Sequence, residues 1–159
     1  MMQWTEAYSK SSTVVRMNEP QLDRHRSMDE LGKFAVNLEM TNVDLDSKGA
    51  DELLRTVMTR VTEDCLEGGA DFIGHVKGCL LTPDDRLLRA NLVSMRTGVE
   101  VEDLLQDKGF KGGRLLLHVI VHGIWDPEVR RISLDAISRT MKECSIDHRI
   151  ILDYCESVV

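Results

Sequence analysis

Two hydrophobic periods alternate along this chain. Phe34, Val36, Leu38 and Met40 alternate with Ala35, Asn37 and Glu39, the period-2 pattern of a half-buried strand. After the turn-like Asp44 to Gly49, the residues Ala50, Leu53, Leu54, Val57, Met58, Val61, Cys65 and Leu66 recur at the i, i+3, i+4, i+7 spacing of an amphipathic helix, which Gly68-Gly69 should end. Phe72 to Leu80 alternates again, turns at Pro83-Asp84-Asp85 and returns over Leu87 to Ser94, predicting a hairpin. The connection from Met95 to Gly113 is expected to carry one short helix over Val101 to Gln106 and to end flexibly at Gly109, Gly112 and Gly113. A strand from Arg114 to Ile124 follows, and Asp126-Pro127 predicts an N-cap with proline at the first helical position. That helix should bury Val129, Ile132, Ala136, Ile137, Met141 and Cys144, and His148 to Leu152 should form the last strand.

The order β-α-β-β-β-α-β predicts an α+β fold: a two-layer sandwich related to the ferredoxin-like plait, with both helices on one sheet face and none on the other. Residues 33–159 make up this single domain. Residues 1–32 are mixed and polar, with a Ser9 to Thr13 cluster, Pro20 and the charged run Asp23 to Arg26. They read as a weakly ordered arm or as a short docking element using Trp4, Tyr8 and the Val14-Val15 pair.

Composition narrows the setting. The 159 residues are about one domain's worth. A formal net charge of -7 argues against nucleic acid as a partner, because phosphate binding needs a basic stripe that releases counterions. No apolar run approaches the ~18 residues of a membrane-spanning helix. Cys65, Cys79, Cys144 and Cys155 include no C-x-x-C pair and follow no secretory signal, which points to reduced thiols and a cytoplasmic setting.

Candidate chemistry collects on the helix-free parity. Successive strand residues face opposite ways, so His75, Lys77, Cys79, His118 and His122 should share one surface with Arg89, Asn91, Asn37 and Glu39. No phosphate loop, nucleophile elbow or zinc-binding H-E-x-x-H helix occurs, and no catalytic residue is assigned. Like-facing residues on one strand stand roughly 6.6 Å apart along it, which puts His118 and His122 about 13 Å apart. A zinc or other transition-metal site built from His75, Cys79, His118 and His122 therefore needs cross-strand pairs, such as His75 with His118 or Cys79 with His122. The competing reading is a polar sheet face that is solvated or covered by a second subunit. An enzyme using His75 and Lys77 in proton transfer is a third class.

The run Ile73-Gly74-His75-Val76-Lys77, the return Arg89-Ala90-Asn91-Leu92-Val93, and the strand and helix beyond resemble the small C-terminal accessory domain of CobW-type GTPases, over about Lys33 to Cys144. The resemblance implies a partner-facing or regulatory module associated with metal or cofactor handling. The family's phosphate loop and metal-binding cysteine motif do not occur in these residues, so no catalytic role is carried over. Together these features predict a non-catalytic module that forms a homo-oligomer or docks a protein partner. Ile73, Leu87, Ile120 and Ile124 are the expected apolar positions of its open face. The alternative is a metal or small-molecule binder using the histidine-bearing surface.

Overall fold

A computed structural model describes residues 31–155. The arm expected over residues 1–32 lies outside the described residues, apart from Leu31 and Gly32, which already belong to the first strand. The elements are β1 (Leu31–Thr41), α1 (Ser47–Glu67), β2 (Phe72–Leu81), β3 (Leu87–Leu92), β4 (Glu100–Leu104), β5 (Gly113–His122), α2 (Asp126–Glu143) and β6 (Asp147–Cys155). Six strands form one antiparallel sheet in the order β4-β3-β2-β5-β1-β6. Helix α1 links β1 to β2 across β5, and α2 links β5 to β6 across β1. This is the ferredoxin-like arrangement, and β3 and β4 extend its sheet beyond β2.

One parity of each central strand packs under the helices. Phe34, Val36, Leu38 and Met40 on β1 and Leu115, Leu117, Val119 and Val121 on β5 are buried. They meet the α1 stripe Ala50, Leu53, Leu54, Val57, Met58, Val61 and Cys65 and the α2 stripe Val129, Ile132, Ala136, Ile137 and Met141. Burial pushes the Cys65 thiol up to about 12, with the neighbouring Asp64 carboxylate adding to the effect, so Cys65 stays a neutral core group. Asp46 caps α1 by accepting the Gly49 backbone N–H at 2.7 Å, and Gly68 closes its other end. Among the described residues no helix is long and apolar enough to cross a membrane.

Several local expectations are corrected. Val101 to Gln106 is not helical. Glu100 to Leu104 pairs with β3 as an edge strand, Val101 and Leu105 pack on the core, and left-handed backbone at Gln106 and Asp107 ends the strand. Asp126 is not the N-cap of α2, because Trp125 holds that position. The Asp126 carboxylate is instead fully buried and accepts the Lys33 backbone N–H at 2.7 Å, tying the start of α2 to β1. Cys144 is exposed at the C-cap of α2 and does not join the core.

The glycines before β5 form a tight connection. Gly113 has φ +141, and a Cβ there would stand 2.1 Å from the Leu81 carbonyl oxygen. Both the backbone conformation and the close approach of β2 exclude a side chain. Gly113→Ala should lower unfolding free energy by about 1–3 kcal/mol, read as a lower midpoint in urea denaturation.

Candidate functional site: the open sheet face

A bulge decides what the helix-free face presents. Between Ile73 and His75 the β2–β5 register shifts by one, so Ile73 lies opposite Val121 and packs against the core, while Phe72 lies opposite His122. One extra residue reverses the parity on either side of it. The expected placement of Phe72 inward and Ile73 outward is therefore reversed. Ile124 is also in the core, at 6% exposure, beyond the end of β5. Leu87 and Ile120 remain on the open face, with Phe72 added to them.

Register places the other side chains in rows across the strands. One row runs Glu100, Asn91, Lys77, His118, Ala35 and Tyr154 from β4 to β6. The next runs Glu102, Arg89, Cys79, Leu116, Asn37 and Leu152. Together they form an open groove of about 960 Å³. Its floor is Cys79, Leu116, His118 and Ala35, and its two sides carry Arg89 with Glu102 and Leu152 with Tyr154. The Arg89 and Glu102 side chains form an ion pair at 2.6 Å.

The sequence-predicted residues separate into two groups. Lys77, Cys79, Arg89, Asn91 and His118 line the groove, and His75 stands beside it with its ring 5.3 Å from that of His118 in an edge-on contact. His122 lies apart, in contact with Asp71 Oδ2 through Nδ1 at 3.0 Å and stacked on Phe72 at 4.8 Å. Cys79 lies opposite Leu116, three like-facing positions and roughly 20 Å along the strand from His122. The Cys79–His122 pairing is thus ruled out by register, whereas the His75–His118 pairing is made. Among the described residues no group of three or more His, Cys, Asp or Glu side chains could hold a metal ion.

Basic side chains collect at the centre of the face. Burial lowers the pKa of both His75 and His118. His75 is lowered further by His118 and Lys77, and His118 by Lys77 and Lys33. Burial raises the Cys79 thiol, opposed by Arg89, which keeps it protonated and unreactive at neutral pH. On this face, among the described residues, three buried atoms lack a hydrogen-bond partner: Asn37 Oδ1, Asn91 Oδ1 and His75 Nε2.

Glu100, Glu102 and Tyr154 were missed as groove residues. The alternation in Glu100-Val101-Glu102 carried a strand signal that a helical assignment obscured, and Tyr154 lies past the expected end of β6. Comparison of the chain with protein families, curated proteins and solved structures returns no match.

The depressed histidines set a sign for stability. Their folded pKa values lie below the unfolded value near 6.5, so the unfolded chain binds more protons as pH falls. The contribution is present above that value and is lost on acidification toward the folded values. Urea midpoints should therefore fall between about pH 7.5 and about pH 5.5, and a His75→Gln/His118→Gln variant should show a smaller fall.

Proposed function

We propose that this domain is a binding module and that its helix-free sheet face holds a small molecule in the groove between β3–β4 and β6. The observation that carries the reading is the pair of unspent polar atoms in a hollow of mixed polar and apolar lining. Asn37 and Asn91 each carry a buried Oδ1 without a partner, on opposite sides of the floor and roughly 14 Å apart across three strand spacings. A buried acceptor that makes no bond costs about 1–3 kcal/mol, and a ligand donor would recover that loss. The groove volume falls in the range of small-molecule sites. The likeness of the Ile73–Lys77 and Arg89–Val93 hairpin to an accessory domain of CobW-type GTPases points in the same direction, toward a module that binds and does not turn over substrate.

Nuclear magnetic resonance screening against a mixed library of charged and neutral fragments tests this reading. Hits should converge on the amides of Lys77, Cys79, Leu116 and His118, and Leu116→Trp, which fills the floor, should abolish them while the remaining spectrum stays folded. Hits scattered over the helices, or none, would count against it.

A second reading, association with another copy of this chain, is favoured by the β6 edge. Ile150, Ile151, Leu152 and Tyr154 are exposed there beside a strand edge that pairs with no further strand among the described residues. Sedimentation velocity should show a dimer that strengthens with concentration and is lost in Leu152→Lys. A monomer at every concentration would remove this reading.

A further inference from the structure

The two edges of the sheet are built differently. At one edge β4 is short, and Glu100, Glu102 and Asp103 on it are exposed acids. A second β4 laid against it would set acid against acid, and left-handed backbone at Gln106 and Asp107 ends the strand. At the other edge β6 runs for 9 residues, with Ile150 and Ile151 each 40% exposed, Leu152 46% and Tyr154 53%. Among the described residues no strand pairs with its outer side. Apolar side chains in a row along an open strand edge are a template for another strand.

A bulge decides which strand fits. Pairing with β1 places Asp147, Arg149, Leu152 and Tyr154 on the open face and His148, Ile150 and Asp153 on the helix face, because Ile151 is an extra residue without a partner on β1. On a lone edge such a bulge hinders pairing with a regular strand. An identical strand carries the same bulge, so two copies of β6 compensate for each other where the bulges meet. They meet about a two-fold axis perpendicular to the sheet, which keeps each face on its own side, so residues opposite one another must share a face. An axis through Ile151 breaks this rule by setting Ile150 against Leu152, and axes through Ile150 or Leu152 break it in the same way. An axis between Ile151 and Leu152 keeps the faces but sets Ile150 against the Asp153 carboxylate. An axis between Ile150 and Ile151 satisfies both conditions. Ile150 then lies opposite Ile151, Arg149 opposite Leu152, His148 opposite Asp153 and Asp147 opposite Tyr154. Apolar side chains meet at the middle of the seam, the Arg149 stem lies along Leu152, and the His148 imidazole can donate to the Asp153 carboxylate.

From this self-complementarity we propose that β6 pairs antiparallel with β6 of a second copy about a two-fold axis between Ile150 and Ile151, joining the two sheets and extending the groove of each copy with residues of the other. The inference rests on the second reading above, association with another copy, and gives it a register. The row Arg89, Cys79, Leu116, Asn37 and Leu152 continues into Arg149 of the second copy, and the row Lys77, His118, Ala35 and Tyr154 continues into its Asp147. Leu152 and Tyr154 thus change from an edge wall into an interior part of a joint sheet, and the groove gains a guanidinium and a carboxylate beyond them. The acid-bearing β4 edges stay outermost, so the assembly closes at two copies.

Oxidative cross-linking of the full chain tests the register, in a Cys79→Ser/Cys144→Ser/Cys155→Ser background that leaves only the buried Cys65. Arg149→Cys/Leu152→Cys sets thiols opposite each other with Cα atoms about 5 Å apart, within disulfide reach. In either single variant the two thiols stand roughly 10 Å apart along the seam, beyond that reach. Arg149 and Leu152 are exposed, so the variant should fold. The double variant should form a covalent dimer at least about tenfold faster than either single variant. His148→Cys/Asp153→Cys reads the same register from the helix face and should behave alike. In the unmodified chain the amides of residues 147–154 should exchange hydrogen more slowly as concentration rises. A dimer in sedimentation whose two double variants cross-link no faster than the single ones overturns this pairing and leaves self-association standing on another surface. Faster cross-linking of Arg149→Cys/Tyr154→Cys moves the axis to between Ile151 and Leu152 and overturns it as well. A monomer at every concentration overturns it together with the reading it rests on, and protected amides over residues 147–154 in that monomer assign the edge to residues 1–30 of the same chain.

Discussion

The structure depends on both helices being buried against the same side of one sheet. Helix α1 spans β1 and β2 with β5 between them, and α2 spans β5 and β6 with β1 between them. The two apolar stripes therefore lie side by side over the same four strands, and Arg139 of α2 forms an ion pair with Asp64 of α1. The buried Asp126 carboxylate, held by the Lys33 backbone N–H, anchors the start of α2 at the β1 strand. Every residue of the inner strand parity is committed to this layer. The outer parity is released from packing, and its side chains can carry something other than core.

The released parity is not an ordinary solvated surface. A sheet face meant only for water would place its charges apart or in pairs, as Glu39 and Arg149 do. At the centre of this face His75 and His118 are instead in ring contact beside Lys77, and both imidazoles are lowered in pKa. The amide oxygens of Asn37 and Asn91 are enclosed without partners. Each of these features costs stability in the isolated chain, and a folded domain keeps only a small surplus. Their concentration in one groove, opposite a well-satisfied core, is the pattern that functional sites produce when local rules are broken in one place.

The added strands matter to the groove as much as the four central ones. Without β3 and β4 the row through Lys77 would end at β2, and Arg89, Asn91, Glu100 and Glu102 would not be there to form a wall. At the other side β6 brings Leu152 and Tyr154 opposite Asn37 and Ala35. The hollow thus arises from a ferredoxin-like unit that has been widened on one side, with residues from six strands contributing to a single surface.

Much of this could be read from the chain. Period-2 and period-3.6 patterns identified β1, α1, the β2–β3 hairpin, β5 and α2, because the partition of Phe34, Val57 or Ile137 into the core is settled by the residues themselves. The same alternation placed His75, Lys77, Cys79, Arg89, Asn91 and His118 on one face. Three things lay beyond it. Whether Glu100 to Leu104 is helix or strand depends on whether β3 offers a free edge, which is a long-range hydrogen-bonding choice. The exchange of Phe72 and Ile73 comes from a bulge whose position is set by pairing with β5. The union of His75 with His118, and the separation of Cys79 from His122, is a matter of register. Side-chain chemistry and period are local properties and are written in the sequence. Which groups meet across strands depends on hydrogen bonds between residues distant in the chain, and only the tertiary structure decides them.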